Sequence, residues 1–86
     1  MKLADFEQRV WEVEGIRIVI RGDENDEVED YTRKNAANEN WRTREFLEKR
    51  IEPRVGGRKV VVIKGDGEMP NGRVLLRNLR ASYTTK

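Results

Sequence analysis

The chain has 86 residues, of which 40% are charged and 36% hydrophobic, and it contains neither cysteine nor histidine. This length supports one domain with a single modest core. The missing residue types exclude disulfides, a thiolate nucleophile, the usual general base and the commonest zinc ligands. No run approaches the roughly 18 apolar residues of a membrane-spanning helix, and the first five residues lack the apolar core of a signal peptide. We therefore expect one cytoplasmic domain over residues 1–86, with no cofactor, no metal and no membrane association.

Charge is distributed unevenly along the chain. Residues 1–40 carry 6 basic and 11 acidic side chains, a net charge of −5, whereas residues 41–86 carry 12 basic and 5 acidic ones, a net charge of +7. Most of the negative charge lies in the acidic run at 23–30, within an acidic and polar loop region predicted over 22–40. The asymmetry indicates either internal pairing or a bipolar surface that presents one sign to a partner.

The first predicted element is a β-hairpin. Two β-rich segments, 10–13 and 16–20, are separated by Glu14 and Gly15, which is the length and composition of a tight turn. In that register Trp11 and the other large apolar side chains lie on the core side of the hairpin.

The acidic run contains a partial calcium-loop pattern. Asp23, Asn25 and Glu27 occupy positions 1, 3 and 5 of an EF-hand loop. The sixth position, which requires glycine, is Val28, and the twelfth, which requires a bidentate carboxylate, is Lys34. The sequence therefore does not predict a metal site here.

The helix of the predicted fold covers residues 43–52. Leu47 and Ile51 recur at four-residue spacing on its apolar face, and Asn40 or Thr43 is the predicted N-cap. The run at 60–63, Val-Val-Val-Ile, is too short and too β-branched for a helix, so we predict the central strand there. A glycine-rich loop over 65–72 follows it, and a last edge strand is predicted over 73–79.

The order β-β-α-β-β predicts an α+β fold in which a four-stranded sheet packs against a single helix. If strands 16–20 and 60–63 are neighbours, the helix is a right-handed crossover between parallel strands. Alternatively, the first and last strands form the central pair. That second arrangement resembles the element order of ubiquitin-like β-grasp domains, a resemblance of shape that implies no activity.

The sequence favours a binding role over catalysis. The main hypothesis is a non-catalytic adaptor, inhibitor or accessory subunit that docks a larger protein through a bipolar charged surface, with a homodimer through an open sheet edge as a sub-case. Nucleic-acid binding through the arginine-rich helix and last strand is one alternative. An enzyme of unrecognised type that uses Asp66 and Glu68 is another. The predicted partner-binding residues are Asp23, Glu24, Asp26, Glu27, Tyr31, Trp41, Arg42, Arg73, Arg77 and Arg80.

Overall fold

A computed structural model of the chain describes residues 1–23 and 25–84. Within these ranges the helices and strands are, in chain order, α1 Leu3–Glu14, β1 Arg17–Ile20, α2 Thr43–Phe46, β2 Val60–Ile63 and α3 Leu76–Ser82. A π-helical turn, Leu47–Ile51, and a 3₁₀ turn, Glu52–Arg54, extend α2. We call these three pieces, residues 43–54, the central helical segment. Among the described helices none is long and apolar enough to cross a membrane.

The predicted four-stranded sheet is wrong, because the described residues form a sheet of two strands, β1 and β2. The predicted central strand at 60–63 is confirmed as β2. Its neighbour is β1, as one predicted strand order requires, but the two strands are antiparallel, with Ile18 opposite Val62. Both the parallel crossover and the β-grasp order are therefore wrong. The fold is a small α+β arrangement in which helices cover a two-stranded ribbon.

The first predicted strand lies inside α1. Leu3, Phe6 and Val10 are all buried, and their spacing of three and four residues is that of one helix face. The predicted turn glycine, Gly15, ends the helix instead, with φ of 67° and its N–H donated to the carbonyl of Trp11 at 2.9 Å. A left-handed glycine is a common helix C-terminus as well as a hairpin residue.

The last predicted strand, 73–79, is also wrong, because the chain becomes helical at α3. Leu76 and Leu79 are buried, and three-residue spacing places them on one helix face. In a strand, each face of this stretch would mix apolar with polar or charged side chains, which we interpreted as an edge strand. The same residues separate into a buried and an exposed face in a short helix.

The predicted helix at 43–52 is confirmed as helical backbone, although it is not a continuous α-helix. Ile51 is fully buried and Leu47 is half-buried. The helix begins after Arg42 rather than after either predicted cap. The backbone N–H of Arg42 donates to Oε1 of Glu45 at 3.1 Å, which satisfies a donor at the helix start.

The side chain of Tyr83 closes one end of the sheet. The N–H of Arg17 donates to the Tyr83 hydroxyl at 3.0 Å, and that hydroxyl donates to the carbonyl of Ile63. Arg17 and Ile63 are opposite each other in the ladder. The hydroxyl therefore bridges the two strands and ties the end of α3 to the sheet.

Both tyrosines of the chain, Tyr31 and Tyr83, resist ionisation. Burial raises the pKa of each, and the carboxylate of Glu14 raises the pKa of Tyr31 further. We expect the two tyrosines to make the free energy of unfolding fall as the pH rises above about 10, because the unfolded tyrosines then lose protons that the folded ones keep. Urea unfolding at a series of pH values measures this fall, and Tyr83→Phe should make it shallower. A native tyrosinate absorbance titration centred at or below the ordinary tyrosine pKa would contradict this expectation.

Candidate functional site

The outer edge of β2 exposes backbone groups that β1 does not use. In the antiparallel ladder, the N–H of Arg21 donates to the carbonyl of Lys59 at 2.8 Å. Hydrogen-bonded and non-bonded pairs alternate along such a ladder, and Val60 and Val62 are in non-bonded pairs. The backbone N–H and C=O groups of these two residues therefore point away from β1. Within residues 1–23 and 25–84, these outward groups have no hydrogen-bond partner.

A groove of about 270 Å³ runs beside this edge, between β2, the central helical segment and the glycine-rich loop. We call it the edge groove. The edge is recessed because residues of the central helical segment and of the loop line the groove beside β2. Met69 on the loop wall is 67% exposed. The groove is lined by Thr43, Arg44, Leu47, Glu52, Val60, Val61, Val62, Met69, Pro70 and Gly72.

Backbone hydrogen bonds hold two walls of the edge groove together. The N–H of Arg44 donates to the carbonyl of Gly72 at 3.0 Å, and the N–H of Thr43 donates to that of Val74 at 2.8 Å. The Thr43 hydroxyl donates to the same Val74 carbonyl at 2.8 Å. The end of the glycine-rich loop is therefore fixed against the start of α2, and the groove is built into the fold.

Two opposite charges line the edge groove. Arg44 and Glu52 lie on the same helical segment, and both are exposed. In the described part of the chain, neither side chain makes an ion pair or a side-chain hydrogen bond. Both charges are therefore available to a bound molecule.

A second polar cluster lies in the interior around Glu14. Its carboxylate accepts hydrogen bonds from Arg50 Nη1 at 2.6 Å, from Arg80 Nη2 at 3.2 Å, from the N–H of Ala37 at 2.7 Å and from the Tyr31 hydroxyl. Glu14 is 2% exposed. A buried carboxylate with two cations and two further donors joins α1, the polar loop region, the central helical segment and α3. We therefore assign this cluster to the stability of the fold.

Comparisons with protein-family models, with curated proteins and with solved structures found no match to this chain.

The predicted acidic site residues contact the body of the protein. Asp26 lies 3.6 Å from Arg58, and Glu27 lies 3.3 Å from the amino group of Met1. Asp23 is exposed, and its carboxylate accepts the N–H of Asn25 at 2.9 Å. Glu24 lies outside the described residues. Asp26 therefore contacts the basic half of the sequence, whereas Glu27 pairs with the first residue of the chain.

Two predicted site residues lie inside the Glu14 cluster. Tyr31 is 2% exposed, and Arg80 donates to both the carboxylate and the backbone carbonyl of Glu14. Tyr31 was predicted as a partner-binding residue, and its burial leaves it inaccessible to a partner. Burial of the tyrosine ring edge-on against Phe6, at 5.4 Å between centroids, accounts for its position.

Four predicted site residues lie on two paired segments. The N–H of Leu76 donates to the carbonyl of Trp41 at 2.8 Å, which aligns Trp41 and Arg42 with the chain around Arg73 and Arg77. The three arginines are exposed, and we call them the cationic ridge. Trp41 is half-buried, and the ammonium of Lys49 and the guanidinium of Arg50 lie over its ring at 4.9 and 5.4 Å.

The two carboxylates of the enzyme hypothesis lie in the exposed loop after β2. Asp66 accepts the N–H of Glu68 at 3.0 Å and lies 3.7 Å from Lys64. That backbone hydrogen bond lowers the pKa of Asp66, the opposite of what a general acid requires at neutral pH. These contacts describe a turn stabilised by its own side chains.

The edge groove was missed from the sequence. Its clearest signal is Met69, a large apolar side chain in a loop otherwise made of glycine, proline and polar residues, which follows the most apolar strand. The edge itself is not visible in the sequence, because the side of β2 that remains unpaired depends on which segment pairs with it.

Proposed function

We propose that this chain is a non-catalytic protein-binding module that binds an extended segment of a partner protein by adding it as a third strand beside β2. The observation that supports the proposal is that the N–H and C=O groups of Val60 and Val62 point outward, without a partner among the described residues, next to an apolar groove. In strand addition, backbone hydrogen bonds supply affinity, and pockets for alternate side chains supply specificity.

The recessed position of the edge supports a single strand as the ligand. An added strand supplies hydrogen-bond partners for the outward N–H and C=O groups of Val60 and Val62, which no other described residue binds. A lone strand enters a recess between a helix and a loop more easily than the edge of a second folded sheet, which favours a partner segment over a homodimer.

The proposal predicts that Val60→Pro abolishes binding while the protein still folds. Proline removes the outward N–H of Val60 but leaves the ladder to β1 intact, because position 60 is not a hydrogen-bonded pair. Peptides that bind the wild-type chain are first selected from a random peptide library. We expect Val60→Pro to lower the affinity for these peptides at least tenfold. Isothermal titration measures the affinity, and circular dichroism checks the fold.

Val60→Thr is the matched control, because it keeps both the N–H and the branched side chain. It should bind the selected peptides within about threefold of the wild-type chain. Peptide-induced NMR shifts should concentrate on residues 60–62, Leu47 and Met69. Equal binding by the proline variant, or shifts confined to the cationic ridge, would contradict strand addition at β2.

A second candidate function is nucleic-acid binding through the cationic ridge. The supporting observation is that Arg42, distant in sequence from Arg73 and Arg77, lies exposed on a segment that pairs with theirs, next to Trp41. Such binding requires an affinity for random single strands that falls steeply with salt and is lost in an Arg73→Glu, Arg77→Glu variant. Binding that is unchanged from low to high salt would exclude this candidate.

A further inference from the structure

The charges that line the edge groove specify the chemistry of the segment it binds. Resting on the proposed strand addition, we infer that the partner segment has an apolar, β-branched centre, an acidic side chain that pairs with Arg44 and a basic side chain that pairs with Glu52. The occupant is a segment of another protein, because no segment within residues 1–23 and 25–84 pairs with these two charges or with the outer edge of β2.

The spacing of the two charges matches a short strand. Arg44 and Glu52 are eight positions apart on the central helical segment, which is at most roughly 12 Å at the rise of an α-helix, since a π-helical turn lies between them. A strand advances about 3.3 Å per residue and its same-face side chains recur at every second residue, so the nearest same-face spacing is four steps. The complementary charges therefore belong at the first and fifth positions of a five-residue stretch.

The groove wall between the two charges is apolar. Leu47 lies on the same helical segment between Arg44 and Glu52, and Met69 and Pro70 face the groove from the loop. Side chains of a bound strand alternate between its two faces, so the ones that point toward this wall are expected to be apolar. Val, Ile and Thr fit an extended backbone best.

The position of Arg44 makes its charge available at the mouth of the groove. A Cβ atom placed on Gly72 would lie 3.6 Å from Nε of Arg44, so the guanidinium stem crosses the loop next to the groove. Among the described residues neither Arg44 nor Glu52 has an ion-pair partner. An added strand with the complementary charges would pair both without displacing an existing contact.

The test uses three end-blocked peptides on the full chain, measured by NMR titration. They carry the centre Thr-Val-Thr, which places the valine on the same face as the two flanking charges, and they are flanked by aspartate and lysine, by two aspartates or by two lysines. The wild-type chain should bind the mixed peptide best. Arg44→Glu should make the two-lysine peptide the best ligand, and Glu52→Lys the two-aspartate peptide, each by about three- to tenfold.

Glu48→Lys is the matched control, because Glu48 is exposed on the same helical segment but does not line the groove. It should leave the order of the three peptides unchanged. If the peptides bind and Val60→Pro abolishes binding, but Arg44→Glu leaves the order unchanged, the inferred charge order is wrong and the proposed function stands. If no peptide binds, neither stands. Concentration-dependent shifts at residues 60–63 without peptide would assign the edge to a second copy of the chain and overturn the inference.

Discussion

Glu14→Gln is expected to lower the free energy of unfolding by about 3–5 kcal/mol, the usual cost of breaking a buried ion pair by removing one partner. The carboxylate of Glu14 lies 2.6 Å from Arg50 and 3.2 Å from Arg80, and it is fully buried. Glutamine keeps the shape of the side chain but leaves two guanidinium groups without their anion. Urea unfolding followed by circular dichroism measures the loss.

Glu12→Gln is the control for this effect. Glu12 lies on the same helix, is exposed and pairs with Arg9 at 3.6 Å. An exposed pair of this kind contributes at most about 1 kcal/mol, so the control should unfold close to the wild-type midpoint. Equal losses for the two variants would show that the interior position of Glu14 contributes nothing.

The cluster around Glu14 also holds a long loop against the core. The segment from Tyr31 to Ala37 contains no helix or strand. The Tyr31 hydroxyl and the Ala37 N–H of this segment donate hydrogen bonds to the Glu14 carboxylate. Nη1 of Arg50 also donates to the carbonyl of Asn35 at 2.8 Å. One carboxylate therefore organises a long connection that lacks secondary structure of its own.

The sequence predicted β2 and the central helical segment correctly because each has a pattern with one interpretation. Four consecutive β-branched residues cannot form a useful helix. Leu47 and Ile51 have the spacing of one helix face, and in a strand the charged Lys49 between them would share their apolar face. At residues 10–13 two patterns competed. The local preference of valine and tryptophan for strands favoured a hairpin, but the spacing of Leu3, Phe6 and Val10 determined the structure, because tertiary burial outweighs a weak local propensity.

The candidate site could be predicted only in its parts. Arginine counts indicated that Arg42, Arg73 and Arg77 carry surface charge, and the structure places all three in exposed positions. The edge groove depends on the register between β1 and β2 and on the loop that follows β2. Both are contacts between distant residues. The same limit applies to Glu14, whose two cationic partners come from positions 50 and 80.

The junction between β2 and α3 depends on the absence of a side chain at Gly65. A Cβ atom at this position would lie 1.9 Å from the carbonyl oxygen of Ser82, a backbone atom that cannot move without shifting α3. The N–H of Gly65 donates to Oγ of Ser82 at 2.9 Å, and that hydroxyl donates to the carbonyl of Leu79 at 2.6 Å. The close approach of Gly65 to Ser82 therefore holds Tyr83, the residue after Ser82, at the end of the sheet.

Gly65→Ala is therefore expected to lower the free energy of unfolding by about 2–3 kcal/mol, because overpacking against backbone forces the end of α3 away from β2. Gly72→Ala is the control, since its added Cβ would meet Cβ of Arg44 at 3.4 Å, an ordinary contact, and should change stability by no more than about 0.5 kcal/mol. Urea unfolding compares the two variants. In Gly65→Ala the hydroxyl of Tyr83 should also lose its contact with Ile63, which NMR shifts at the strand end detect. An alanine variant at 65 that is as stable as the one at 72, with Tyr83 unchanged, would mean that β2 and α3 do not meet at this glycine.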